Sequence, residues 1–250
     1  MTADADPSSW EQQRERLRRS LRRRPAPGPP FPCPYLPARE ARHQTLLAST
    51  CPPGLYTGLM DLNFRRLGPL VYRPVCDACA ECRQLRVPVA TFLPSRSQRR
   101  CRARNRDLAI TIGPPRLTDE KLDLYARYLN ERHDGQMTGS REELEGFLYV
   151  SGIETVEVCY REGARLVAVG VADVEPRCLS AVYCYYEPSQ APRGLGTFNV
   201  LWLLGEARRR RADHLYLGYY VADAPTMKYK ADFRPCELLL PDGSWESRRS

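Results

Sequence analysis

Lysine is nearly missing from the 250-residue chain: Lys121, Lys228 and Lys230 are the only ones, and the rest of its 38 basic residues are arginines. No apolar run approaches the roughly 18 residues that a membrane span needs, so no membrane partner is expected. The opening stretch MTADADPSSW has neither a basic n-region nor an apolar h-region, which argues against a secretory signal and makes the cytoplasm the expected location. A reducing cytosol keeps thiols free, so the ten cysteines do not read as a disulfide framework. Metal or cluster binding becomes the question they pose.

What is present is ordinary in proportion and uneven in placement. Apolar residues make up 42% and charged residues 27%, the balance of a globular protein with a proper core. The formal net charge is +8, and arginines crowd at 14–24, at 96–106 (RSQRRCRARNR) and at 208–211 (RRRR). Arginine-favouring codons would raise the total without regard to place. The clustering points to a polyanion, because the planar guanidinium fork binds two phosphate oxygens at once.

Residues 1–30 combine arginines with RPAPGPP and offer little to bury, so they read as a solvated basic tail, disordered or a fraying helix. Residues 31–110 are proline-rich and cysteine-bearing and read as a small module held by a metal. Within them RQLRVPVATF (83–92) is strand-like, its Pro88 suggesting an edge or a bulge, and SQRRCRARNRD is helix-like and basic. Residues 111–250 are more regular. Thr118 caps a helix with Asp119 and Glu120 in its first turn, and Ser140 with Glu143 makes a capping box for a second. TVEVCYRE (155–162), RLVAVGVADV (165–174) and CLSAVYCYYEP (178–188) read as an antiparallel meander, the first two strands joined at Gly163. PRGLGTF, the apolar helix FNVLWLLGEAR, HLYLGYYV (214–221) and CELLL (236–240) follow. Two helices, a meander, a glycine-bearing turn opening a helix and two closing strands match the element order of the GNAT acyltransferase fold. The expected class is α+β, a GNAT-like catalytic region behind an N-terminal cysteine-rich metal- or cluster-binding module.

Cys76, Cys79 and Cys82 are spaced C-x2-C-x2-C, which lets three thiolates reach one centre from a short piece of chain. A fourth ligand must come from elsewhere. Cys33, in the same proline-rich module, is the choice, with Cys51 and Cys101 as rivals. Four thiolates suit zinc or a [4Fe–4S] cluster. Cys159, Cys178, Cys184 and Cys236 sit in strand-like runs and read as core.

The segments PCPYLPARE (32–40), YTGLMDLNFRRLGPLVYRPVCDACAECRQLRVPV (56–89), FLPSRSQRRCRARNRDL (92–108), RYLNERHDGQM (127–137), LSAVYCYYEP (179–188), RGLGTF (193–198) and LYLGYYVADAPTMKYKADFRPCELL (215–239) together resemble the bacterial aspartate/glutamate leucyltransferases. Those are short relatives of the arginyl-tRNA–protein transferases. The resemblance implies leucine transfer from Leu-tRNA to proteins that begin with Asp or Glu, which marks them for N-degron degradation. It also implies an iron–sulfur cluster on Cys33, Cys76, Cys79 and Cys82 and no organic cofactor. The eukaryotic pattern has a C-x-x-C where this chain has CPYL, with Leu36 in the second position.

Such a reaction needs a cationic pocket for the acceptor's acidic side chain, an apolar pocket for leucine and an arginine track for the tRNA. Lys228, Lys230 and Arg234 in MKYKADFRP are the candidates for the first, with Arg39 or Arg65 outside that segment. His133 is the candidate general base, and Tyr219 and Tyr229 are candidates to orient the attacking amine or the ribose. Arg193, Gly194 and Gly196 open a helix whose free N–H groups favour an anion. Ala191 stands where acetyl-CoA enzymes usually carry Gln or Arg. Arg96, Arg99, Arg100, Arg102 and Arg104 are the phosphate candidates. Arginyl donation would instead require an acidic pocket, for which Asp173, Asp223 and Glu237 are candidates. An acetyl-CoA N-acetyltransferase and a non-catalytic metal-containing RNA-binding protein, separable from the second half of the chain, are the rival functions. A monomer is expected.

Overall fold

The computed structural model describes residues 12, 15–17, 19–21, 26–132 and 139–249. Its centre is an eight-stranded mixed sheet in the order β13-β12-β6-β11-β10-β9-β8-β7. The strands are β6 (Arg83–Pro88), β7 (Ala109–Gly113), β8 (Thr155–Glu162), β9 (Arg165–Glu175), β10 (Cys178–Tyr186), β11 (His214–Tyr220), β12 (Cys236–Leu239) and β13 (Trp245–Arg248). Every neighbouring pair is antiparallel except β10 and β11. Those two are joined by a helical crossover, as a parallel pair requires. The class is mixed α/β, and the meander expected over 155–188 is present, turning at Gly163 with φ +57°.

The middle strands are mostly apolar because both faces are covered. Successive side chains of a strand point to opposite faces, so Val158 and Tyr160 meet the crossover helix α5 (Leu195–Arg209). Cys159 meets α3 (Asp119–Arg132) and the turn after α4 (Arg141–Leu144). On α5, Leu195, Phe198, Leu201 and Leu204 pack against Val167, Leu179 and Leu215. Opposite them, Leu124, Tyr125, Leu129, Leu144 and Leu148 cover Val169, Val171, Val182 and Tyr185. The expected caps hold: Thr118 Oγ1 accepts from the amide of Lys121 and Ser140 Oγ from that of Glu143. Among the described residues no helix is long and apolar enough to cross a membrane.

A second, three-stranded sheet is formed by β3 (His43–Leu47), β5 (Leu70–Pro74) and β4 (Arg65–Leu67), in that order. It packs with the short helix α1 (Leu55–Met60) through Tyr56, Leu59, Met60, Phe64 and Val71. A two-stranded pair, β1 (Phe31–Pro32) and β2 (Glu40–Ala41), precedes it. Apolar contacts with Cys178 and Tyr216, hydrogen bonds such as Thr57 to Glu175, and one buried ion pair join this lobe to the large sheet. The Nε of Arg66 donates to both oxygens of Asp173 on β9, at 2.9 and 3.0 Å, with both side chains out of solvent.

Three expectations are corrected. The strand at 83–88 is not an edge: β6 lies between β12 and β11, and Pro88 is tolerated because it ends the strand beyond the residues that pair with β12. That placement also means the chain does not divide at residue 110, since Leu85 and Val87 belong to the main core. The solvated tail does not extend to all of residues 1–30. The described residues 15–17 and 19–21 are helical, and Leu17 and Leu21 pack against the α1 cluster.

Candidate active site

The parallel pair opens partway along. β10 and β11 are in register at Cys178–His214, Leu179–Leu215 and Ser180–Tyr216 and no further. At the same level each strand carries an irregularity with its outer neighbour, between Ala181 and Tyr183 on β10 and between Tyr216 and Gly218 on β11. A bulge bends its strand and leaves a residue outside the ladder, so two at one level part the strands. Arg65, from β4, reaches into the gap and donates from Nη2 to the Val182 carbonyl at 2.8 Å. Gly218 has φ +72°, and a Cβ there would stand 3.4 Å from the Arg65 Nε. A side chain at that point would be strained by its backbone and crowded by the guanidinium.

Tyrosines surround the gap. The Tyr219 hydroxyl donates to the carbonyls of Asn63 and Tyr72, at 2.9 and 3.0 Å, and the Tyr72 and Tyr219 rings meet edge to face. Tyr35 lies against Tyr72 and Arg65, and burial pushes its hydroxyl above the usual phenol range. Lys230 is buried and donates to the Tyr219 carbonyl at 2.6 Å. Burial, assisted by the Arg65 charge, holds its ammonium well below the usual lysine range.

The other candidates fall elsewhere. Lys228, Arg234 and Arg39 are exposed; Arg234 donates to the Ala231 carbonyl and Arg39 to the Cys79 sulfur. Tyr219 spends its hydroxyl on backbone carbonyls. Tyr229 is exposed and lines a cavity of about 570 Å³ with Arg234, Arg104, Cys101, Gly194 and Thr197. His133 lies outside the described residues. Gly194 caps α5 in the left-handed region at φ +68°, and Gly196 is in its first turn. Arg193 is committed to the protein, bridging Asp107 and Glu162 and donating to the Arg104 carbonyl.

Beside this turn lies α2 (Arg96–Arg104), started by a complete Ser95–Gln98 capping box. Its inner face is narrow: Gln98 and Cys101, then Asn105, are buried, and Cys101 and Asn105 donate to the Arg193 carbonyl. Arg96, Arg99, Arg100, Arg102 and Arg104 are exposed. The spacing of the inner residues turns the basic side outward.

Cys33, Cys76, Cys79 and Cys82 line one cavity of about 630 Å³. Burial, then the three neighbouring thiols, pushes Cys82 up to about 12. The rivals are elsewhere, Cys51 beside the α1 cluster and Cys101 on α2. Among the described residues no three His, Cys, Asp or Glu side chains are close enough to hold one metal ion as they stand. The donor set fits a thiolate-bound group in its chemistry, four cysteines around a shared space.

The acids that could serve an arginyl pocket are taken or remote. Asp173 is held by Arg66, Glu237 lies on Arg86 at 2.6 Å and His214 at 3.4 Å, and Asp223 is exposed. The hydrogen bond from His214, with the Arg86 charge, lowers the Glu237 carboxyl to about 2. The unfolded chain therefore holds that proton more tightly, so the contribution is complete above the ordinary glutamate range and is lost as pH falls toward 2. Glu237→Gln should flatten the acid limb of a Tm-against-pH curve between roughly pH 5 and pH 2; an unchanged limb would show that the contact contributes nothing.

Arg65 shares its segment with an obvious signal. In NFRRLGPL two adjacent arginines sit in a strand, whose alternation sends them to opposite sides. One side chain meets Asp173, and the other enters the gap. Tyr35, Tyr72 and Gly218 had no such signal.

Comparison with known proteins agrees with the resemblance. The family model "Arginine-tRNA-protein transferase, N terminus" matches residues 31–100 and its C-terminal counterpart residues 120–240. The aspartate/glutamate leucyltransferase of Halorhodospira halophila is 47% identical over 212 residues, covering 83% of this chain and 90% of that one. The protein of the same name from Pseudomonas fluorescens SBW25 is 43% identical over 216 residues, covering 84% and 91%. Among solved structures, L-PGS from Bacillus licheniformis is similar at TM-score 0.47 and 13% identity, covering 76% of this chain and 62% of that one. FemX is similar at 0.48 and 8%, covering 73% and 65%. With cover and identity of this order along the same stretch of chain, the protein belongs to the arginine-tRNA-protein transferase family, in its aspartate/glutamate leucyltransferase branch.

Proposed function

We propose that the protein moves leucine from Leu-tRNA to the α-amine of proteins that begin with Asp or Glu. The observation that carries this reading is the parted β10–β11 pair with Arg65 and Lys230 inside it. A parallel pair that opens along its length, with a glycine-capped crossover helix between its strands, supports the GNAT-like reading of the element order. The Arg65 guanidinium in the gap suits an acceptor with a carboxylate. Asp173 and Glu237, each bound to an arginine, are not free to meet an arginyl guanidinium, which favours an apolar aminoacyl group.

The chemistry asks for placement more than for covalent help. The uncharged α-amine attacks the ester carbonyl carbon, a C–N bond forms, the C–O bond to the ribose breaks, and the proton lost by nitrogen ends on the ribose oxygen. An N-terminal amine has an ordinary pKa near 8, so part of it must shed a proton first. Lys230 is disfavoured as an ammonium, and its amine suits that proton. His133 is the alternative acceptor. Holding the two substrates together supplies several kcal/mol, on the order of 7–11 at best.

The cavity beside Tyr229 and Gly194 is the proposed seat of the tRNA end, with the outer face of α2 as its approach. Replacing Arg96, Arg99 and Arg100 together by glutamine should weaken Leu-tRNA binding and reduce the log K against log salt slope by about 2–3. Thermal stability should stay unchanged, since all three are exposed. An unaltered slope would remove α2 from the interface. Cys33, Cys76, Cys79 and Cys82 would hold zinc or an iron–sulfur cluster. Bound there it would tie the 33–36 segment to the 76–82 loop, whose Cys82 carbonyl already accepts from Asn63, two residues before Arg65.

The test offers purified protein Leu-tRNA, Arg-tRNA or acetyl-CoA with peptides beginning Asp, Glu, Lys or Ala, with zinc and iron measured on the same sample. Leucine should appear on the Asp and Glu peptides alone. Arginine or acetyl transfer, or no transfer from any donor, would overturn the reading. Because β6 is woven between β11 and β12, a first half acting alone as an RNA binder finds no support.

A further inference from the structure

We propose that Arg65 is the residue that reads the acceptor, receiving its side-chain carboxylate on guanidinium N–H groups that face the gap between β10 and β11. The inference rests on the transferase reading above and adds which group sets its acceptor specificity.

The two neighbouring arginines make the case by contrast. Arg66 is buried and carries its own acid, Asp173. Arg65 sits among Tyr35, Tyr72 and Tyr219, and among the described residues no carboxylate pairs with it. Among the described residues its one hydrogen bond goes to the Val182 carbonyl. A guanidinium has five N–H donors in a rigid fork, so most of that fork is left for something else. The buried Asp173 feels the Arg65 charge from a distance, but among the described residues no carboxylate stands at ion-pair distance, and one arriving with the acceptor would fill that place. The backbone at Gly218 is shaped to let the guanidinium stand there. Lys230 has its Nζ against the Tyr219 carbonyl, while Lys228, Arg39 and Arg234 are on the surface.

The alternative is that Arg65 only fills the wedge and satisfies the Val182 carbonyl. Side-chain charge separates the two: a filler is indifferent to the acceptor, whereas a reader loses its preference for Asp over the isosteric Asn. The experiment measures binding of Asp-initiated and Asn-initiated peptides to the full chain by calorimetry, and kcat/KM for leucine transfer to each. Wild type should favour Asp by about 100-fold or more. In Arg65→Gln the ratio should fall to near one, through KM more than kcat, with Leu-tRNA affinity within about twofold of wild type. Should that variant fail to fold, Arg65→Lys keeps the charge and loses the fork, and its ratio should drop by about tenfold. A wild-type Asp/Asn ratio in either variant would overturn the proposal while leaving the transferase reading intact. Leucine transfer by wild type to neither peptide would overturn both.

Discussion

Arg66→Ala should cost about 3–5 kcal/mol of folding stability, because it strands the Asp173 carboxylate in the interior with one partner fewer. Asp173 is 0% exposed and, among the described residues, its side-chain hydrogen-bond partners are Arg66 and Thr155 Oγ1. Burial already outweighs Arg66 and keeps its carboxyl above the usual range. The loss should appear as a lower urea midpoint with an unchanged m value. Replacing both partners by apolar residues of similar size, Arg66→Met with Asp173→Leu, should recover most of it. Arg66 Nη1 and Nη2 find no partner among the described residues, so the intact pair is itself imperfectly satisfied. If Arg66→Ala cost less than about 1 kcal/mol, the pair would be no more than a surface bridge in energy, and the link between the two sheets would have to be sought in the apolar contacts around Tyr56 and Phe64.

Gly170→Ala should be the most damaging single methyl in the large sheet, costing about 2–4 kcal/mol by overpacking and a broken buried hydrogen bond. Gly170 is on β9, between Val158 of β8 and Cys184 of β10, and faces α5. A Cβ there would stand 2.0 Å from the Asn199 Oδ1. Asn199 is buried and accepts from the Tyr160 hydroxyl at 2.8 Å, so it has no open direction in which to retreat. Either that bond breaks or α5 lifts from the sheet. Lifting it would displace Gly194 and Thr197 at the cavity proposed for the tRNA end, so kcat/KM for Leu-tRNA should fall as well. Adding Asn199→Ala should restore the overpacking part, about 1–3 kcal/mol, but not the lost hydrogen bond. Additive losses in this double-mutant cycle would show that the two residues do not compete for the space.

Several elements were legible because their causes are local. The Thr118 and Ser140 caps depend on residues three apart, and the Gly163 turn on one residue at positive φ. The outward basic face of α2 follows from its arginines, which leave Gln98 and Cys101 to turn inward. The clustering of Cys76, Cys79 and Cys82 is likewise built into their spacing, and Cys33 joins them across one cavity. The candidate site was only partly legible. Lys230 was singled out in the same breath as Lys228 and Arg234, but only Lys230 is buried. A short 3-10 turn, Lys228–Asp232, decides which of these side chains points inward, and charge alone carries no such direction.

Composition, spacing and the segments shared with a known family determined by themselves the class of partner, the order of elements and the family, since each depends on what lies nearby in the chain. Tertiary structure alone decided that β6 crosses into the middle of the large sheet, that β10 and β11 part where they do, and that Arg65 and Arg66, adjacent in sequence, serve different ends. The alternation of a strand sends two neighbours to opposite sides. What waits on each side, a buried aspartate from residue 173 or a gap lined by tyrosines, is set by chain that is on the order of a hundred or more residues away, and no local pattern records it.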